Sequence, residues 1–273
     1  MRALVIGLML LAGCDRIAAD DVPVLPAKPA TVSFDGADYQ GQAARNAHGT
    51  RIVDVLGCTG CHGKDLQGKV WVDSPAEGLL HASNLTRALP NYTDQQLQRL
   101  LRSGEHPTGR DVWGMPSELF RHLADTDMAA LIGYLRTIEP VGEPSPEPVL
   151  GPVAKQAIAK GELKSSADWV RDTTNVTPVD LGPRHALARY IARATCAECH
   201  GSKLEGVDTN PDLIVVSAYS RDEFEKLMVQ GVPNGPRKLN LMAAVAKGRF
   251  SQMTKAERDA LYAYLKARAE QPQ

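Results

Sequence analysis

Apolar residues recur along this chain in short helical stretches, separated by loops rich in glycine and proline. Ile52, Val53, Val55 and Leu56 end a helix-like stretch that begins near residue 40. Leu97, Leu100 and Leu101 predict a helix over 93–102, with Thr93-Asp94 as its cap and Gly104 as its stop. Leu131, Ile132 and Leu135 predict an amphipathic helix from Asp125 to Ile138, ended by Pro140. Another helical pattern runs from His185 through Leu187, Tyr190 and Ile191. After Gly68 comes a long segment punctuated by glycine and proline, containing Trp71, Pro75 and Gly78. The expectation is an all-α fold.

Much of this pattern occurs twice. His62-Gly63-x-x-Leu66-x-Gly68 matches His200-Gly201-x-x-Leu204-x-Gly206, and Gly104 precedes Met115 by the same eleven positions that separate Gly231 from Met242. Both halves close on a helix carrying Tyr-Leu, at Tyr134-Leu135 and Tyr264-Leu265. Such matched spacing marks the duplication of one module. It divides the chain into a first domain over 40–140 and a second over 161–270. Residues 141–160, with Pro144, Pro146, Pro148 and Pro152, read as a semi-rigid linker. Residues 153–183 are the least legible, and their polar part is expected to wrap the second domain.

With 273 residues the chain is long enough for two domains that each bury a core. Its net charge of −1, nearer −2 once Arg2 is lost with a leader, argues against a nucleic-acid partner. Only four Phe occur, so large aromatic side chains contribute little to the core.

Residues 1–13 join a basic start to an apolar run too short to span a bilayer, the form of a secretory leader. Leu11-Ala12-Gly13-Cys14 resembles a bacterial lipobox, which implies that Cys14 is lipidated and becomes the mature N-terminus. Asp15 resembles the residue that keeps such lipoproteins in the inner membrane. Residues 14–39, with Pro23, Pro26 and Pro29, then form an extended tether on the periplasmic face.

Four of the five cysteines sit in Cys58-Thr59-Gly60-Cys61-His62 and Cys196-Ala197-Glu198-Cys199-His200. Two thiols three residues apart can form thioethers to the two vinyl groups of one haem, with the following histidine as proximal ligand to iron. Two covalently attached haem c groups are expected. Structural zinc would need further N or S ligands for each motif, and a thioredoxin-type pair would need a βαβ context that is not visible. A low-spin electron-transfer haem needs a second axial ligand, and methionine is the usual partner of histidine. Met115 and Met242 hold equivalent places in stretches expected to be irregular, so they complete the ligand sets of His62 and His200. Met128 and Met228 fall in helical patterns and read as core. Met253 matches Leu123 when counted from the Tyr-Leu pairs, which makes it a packing position. His48, His81, His106, His122 and His185 are left unassigned, with His106 the chief challenger to Met115.

The motifs and their repeat resemble the class I c-type cytochromes in tandem form, over residues 40–140 and 185–268. The resemblance implies small helical modules in which a methionine loop faces the haem from the side opposite the histidine. Asn84-Leu85-Thr86, Gly109-Arg110, Met115-Pro116 and the closing helix through Tyr134 look like cytochrome subunits of periplasm-facing dehydrogenases; the second module lacks Asn-Leu-Thr and Met-Pro. The function implied is single-electron transfer by a membrane-tethered dihaem protein, not an enzyme. Its partners would be a redox donor and acceptor, such as a periplasmic dehydrogenase or a respiratory-chain cytochrome. The alternative is a haem enzyme or gas sensor with an open sixth site on one haem.

Overall fold

The structure is a computed structural model that describes residues 32–271. The leader, Cys14 and most of the expected tether lie outside these residues. The first half runs α1 (Gly41–Val55), α2 (Cys58–His62), β1 (Lys69–Ser74), β2 (Gly78–Ala82), α3 (Leu85–Ala88), α4 (Asp94–Ser103), α5 (Ser117–Phe120) and α6 (Asp125–Leu135). A connecting stretch holds β3 (Val149–Leu150), α7 (Pro152–Ala159) and α8 (Ser166–Asp172). The second half runs α9 (Ala186–Ala194), α10 (Ala197–His200), α11 (Arg221–Gln230), α12 (Asn240–Gly248) and α13 (Lys255–Ala269). No helix among the described residues is long and apolar enough to cross a membrane.

In each half the helix leading into the cysteine motif packs on the closing helix, α1 on α6 and α9 on α13. Gly49 lets the first pair approach closely: a Cβ there would lie 2.1 Å from the Ala130 carbonyl oxygen. Between them, α4 and α11 start from reciprocal capping boxes, Thr93 with Gln96 and Ser220 with Glu223. Both stop at a left-handed glycine, Gly104 or Gly231. The sequence repeat is therefore also a repeat of local structure.

The all-α expectation needs correction, because β1, β2 and β3 form a three-stranded antiparallel sheet. Its hairpin is an insertion in the first half. Gly68 and Gly206 each sit where a Cβ would meet returning backbone, at the Ala82 oxygen and Asn84 nitrogen in one case and the Asn210 oxygen and Asp212 nitrogen in the other. The second half closes this gap with the short turn Val207–Asn210. The strand signal was hidden because β1 has no apolar-polar alternation: Val70 and Trp71 are both largely exposed, and a bulge lies between Val70 and Val72.

The connecting stretch is bound to the first half. Asn84 donates through Nδ2 to the Val141 and Glu143 carbonyls, and its amide donates to Ser145 Oγ at 2.8 Å. β3 then extends the sheet beside β2. The proline-rich segment is thus a strap along one module rather than a spacer between two. Likewise α8, which the sequence reading groups with the second domain, packs on α4 and α5 of the first. Only from about residue 177 does the chain join the second half, where Arg189 holds the Pro178 carbonyl and Tyr264 the Val179 carbonyl.

One continuous apolar core runs through both halves, from Phe34, Ile52 and Leu131 to Ile191, Leu261 and Leu265. Phe34 is buried and meets the ring of Tyr190 edge-on, with centroids 5.2 Å apart. The expected tether therefore gives way to anchored chain by Phe34, earlier than residue 39.

Candidate haem centres

The first motif opens directly from α1. The chain turns at Gly57 in the left-handed region and begins a short helix that places Cys58, Cys61 and His62 on one wall of a cavity. Met115 and Pro116 lie on the wall of the same cavity, together with Leu89, Leu97, Leu101 and Phe120. The space between atoms is about 1240 Å³, its open mouth included. Its lining is mainly apolar, as a buried porphyrin would require.

His62 is held through one ring nitrogen, which leaves the other free toward the cavity it lines. Its Nδ1 lies 2.8 Å from the Ser83 carbonyl oxygen, which can only accept, so the proton sits on Nδ1 and Nε2 keeps its lone pair. Burial pushes the His62 pKa down, which keeps the ring neutral as ligation requires. His200 repeats the arrangement, with Nδ1 2.7 Å from the Pro211 carbonyl. Ser83 and Pro211 are equivalent positions. Each precedes an Asx cap, Asn84 accepting from the Thr86 amide and Asp212 from the Ile214 amide. Sequence reading missed this match because the hairpin shifts the two segments out of register by ten positions.

The thiols are not poised as thiolates. Burial raises Cys58 to about 12 and Cys196 to about 11, against the opposing pull of the Arg249 cation, and burial also raises Cys61 and Cys199. A thioredoxin-type nucleophile needs the opposite shift. Among the described residues no three His, Cys, Asp or Glu side chains gather to hold a metal ion, which leaves a structural zinc short of ligands.

Among the methionines, Met128, Met228 and Met253 are buried in the core, as the sequence pattern expects. Met115 is half-buried in irregular backbone, where Ser166 of α8 donates to its carbonyl at 2.7 Å. His106 also lines the first cavity, but its Nδ1 accepts from Thr108 and its Nε2 lies 2.9 Å from the Tyr92 hydroxyl. Both nitrogens are engaged, so Met115 is the freer donor. Met242 departs from expectation: it lies in the first turn of α12, half-buried against the core, rather than in an irregular loop. Counting back from Tyr264 rather than forward from Gly231 pairs Met115 with Val245, a disagreement of three positions.

The first cavity suits a haem on its donor set, two thiols, an imidazole nitrogen and a thioether. It suits one also on its unmatched polar atoms. His81 lines the cavity with both ring nitrogens buried and unpartnered. Arg110 lines it too, its Nε lacking a hydrogen bond and 3.4 Å from Glu147. Acidic groups such as those on a porphyrin edge would satisfy both. Trp71 closes the wall from the hairpin, packed against Gly114.

The chain is 29% identical over 113 residues to a subunit of nicotinate dehydrogenase from Pseudomonas putida, a match that covers 38% of the chain and 9% of that relative's length. Residues 186–269 match the family described as Cytochrome c, and a domain of that family implies covalently bound haem c and electron transfer.

Proposed function

We propose that the chain is a membrane-tethered dihaem c-type cytochrome that carries single electrons between periplasmic redox partners. The observation that carries this reading is the convergence of Cys58, Cys61, His62 and Met115 on one cavity in the half that lies outside the matched residues 186–269. With the repeat of the motif, its glycine turn and its histidine-carbonyl bond, that convergence favours two cytochrome modules. Bound haem supplies a one-electron iron couple. The cysteines would hold the ring, and the backbone bonds at Nδ1 leave Nε2 of His62 and His200 free to ligate. Met115 and Met242 offer thioether sulfur, and the apolar walls exclude water, which raises the potential. A dehydrogenase is the favoured donor, because the matched relative carries that word in its name. Cys14 would hold the protein at the inner membrane.

The test is maturation in a host that attaches haem in its periplasm, followed by intact mass. A mass of polypeptide plus two haems, with lipid at Cys14 when the leader is kept, is the expected result. A single haem removes the dihaem reading. The displacement of Met242 onto α12 favours a second reading at that site alone, an open or weakly held sixth position. Carbon monoxide binding by the reduced wild-type protein distinguishes the two.

A further inference from the structure

The two cysteine motifs meet at a charged contact that the repeat does not explain. Arg249 follows α12 in the second half, and its Nη1 donates to Glu198 Oε2 at 2.6 Å, between Cys196 and Cys199. Its other nitrogens reach into the first half. Nε donates to the Val55 carbonyl at 3.2 Å and Nη2 to the Leu56 carbonyl at 3.0 Å, just ahead of Cys58. Gly57 lies against the guanidinium, where a Cβ would stand 2.6 Å from Cζ. Glu198, a residue of the second motif, lines the first cavity beside Cys58, Cys61 and His62. The two side chains are only 12% and 29% exposed, so solvent screens them weakly. The first half has no counterpart: Gly60 stands in place of Glu198, and Leu119 in place of Arg249.

We infer that Arg249 and Glu198 form a charged junction through which the second half sets the redox potential of the first-half haem. The inference rests on the reading that both motifs carry haem. Reduction takes up one electron and removes one positive charge at iron, with no bond made and no proton moved. A carboxylate near the site therefore favours the oxidised form and lowers the potential, whereas a guanidinium favours the reduced form and raises it. Held against each other, the two charges partly cancel at the first haem.

The experiment is a redox titration of the full-length, haem-loaded protein, followed through the haem-methyl NMR signals of each module. Glu198→Gln is expected to raise the first-half potential and Arg249→Gln to lower it. The double variant should return toward wild type, and Arg249→Lys should stay near it. General loosening of the fold would move both single variants in the same direction, and that result overturns the junction. So does an unmoved first-half potential in Glu198→Gln, a variant that keeps every Arg249 bond to the first half. Intact mass showing fewer than two haems would instead overturn the reading on which the inference stands.

Discussion

Asp127 and Glu257 occupy the same place in the two halves, the third residue of the closing helix, and each is fully buried at the junction between them. Asp127 accepts from the Tyr190 hydroxyl of the second half at 2.6 Å and lies 2.7 Å from His48 Nε2. Glu257 accepts from Arg51 of the first half at 2.8 Å. The consecutive amides of Phe34 and Asp35 donate one to each carboxylate, both at 2.9 Å. A position that begins a helix in each module has become a crosswise clamp, so the halves behave as one folding unit.

Removing one partner from such a buried cluster leaves the rest unsatisfied. Asp127→Ala should therefore destabilise the haem-loaded protein by about 3 kcal/mol, whereas Tyr190→Phe should cost roughly 1 kcal/mol. Urea unfolding monitored by far-ultraviolet circular dichroism measures both, and a single transition is expected for the wild type.

Replacing Met115 by alanine takes away the thioether on the first cavity wall. The oxidised variant should lose part of the far-red absorption band given by methionine-ligated haem, and its reduced form should bind carbon monoxide. Met242→Ala should do the same at the second site if that methionine is its ligand. An unchanged spectrum in Met115→Ala assigns the sixth position of the first haem elsewhere.

Ser166 lies outside the first module in sequence but supports its methionine loop, donating to the Met115 and Val112 carbonyls. Ser166→Ala should cost about 1 kcal/mol and leave those acceptors less satisfied. The loosened loop should make carbon monoxide binding at the first haem measurable while the second site is unaffected. Stopped-flow mixing of the reduced protein with the gas reads this out.

Glu118 follows Met115-Pro116 with its Oε2 buried and unpartnered. Burial, with the Glu198 carboxylate nearby, pushes its pKa up from 4.5 to about 7. The folded state then binds more protons than the unfolded chain between these values, so this residue's contribution to stability falls as pH rises from 4.5 to 7. Glu118→Gln, which cannot ionise, should match the wild type near pH 4.5 and exceed it above pH 7, by on the order of 1–2 kcal/mol. Unfolding midpoints at both ends of this window check the sign.

Much of this was legible in sequence because it is local. The Cys-x-x-Cys-His motifs, the cap at Thr93, the stop at Gly104 and the core places of Met128, Met228 and Met253 depend on neighbours a few positions away, and periodicity reports such neighbours. The hairpin escaped because half-exposed strands give no alternation, and its ten extra residues hid the equivalence of Asn84 and Asp212. The position of Met242 was misjudged because counting from one end could not reveal the added length before α13.

What tertiary structure alone decided is the assembly of the halves. Asp35 meets Glu257 across 222 positions and Arg249 meets Val55 across 194, separations over which no sequence period carries information. The number and place of the motifs follow from residue chemistry at short range. Whether their charges face each other depends on how two packed modules close on a common core, which only the folded chain determines.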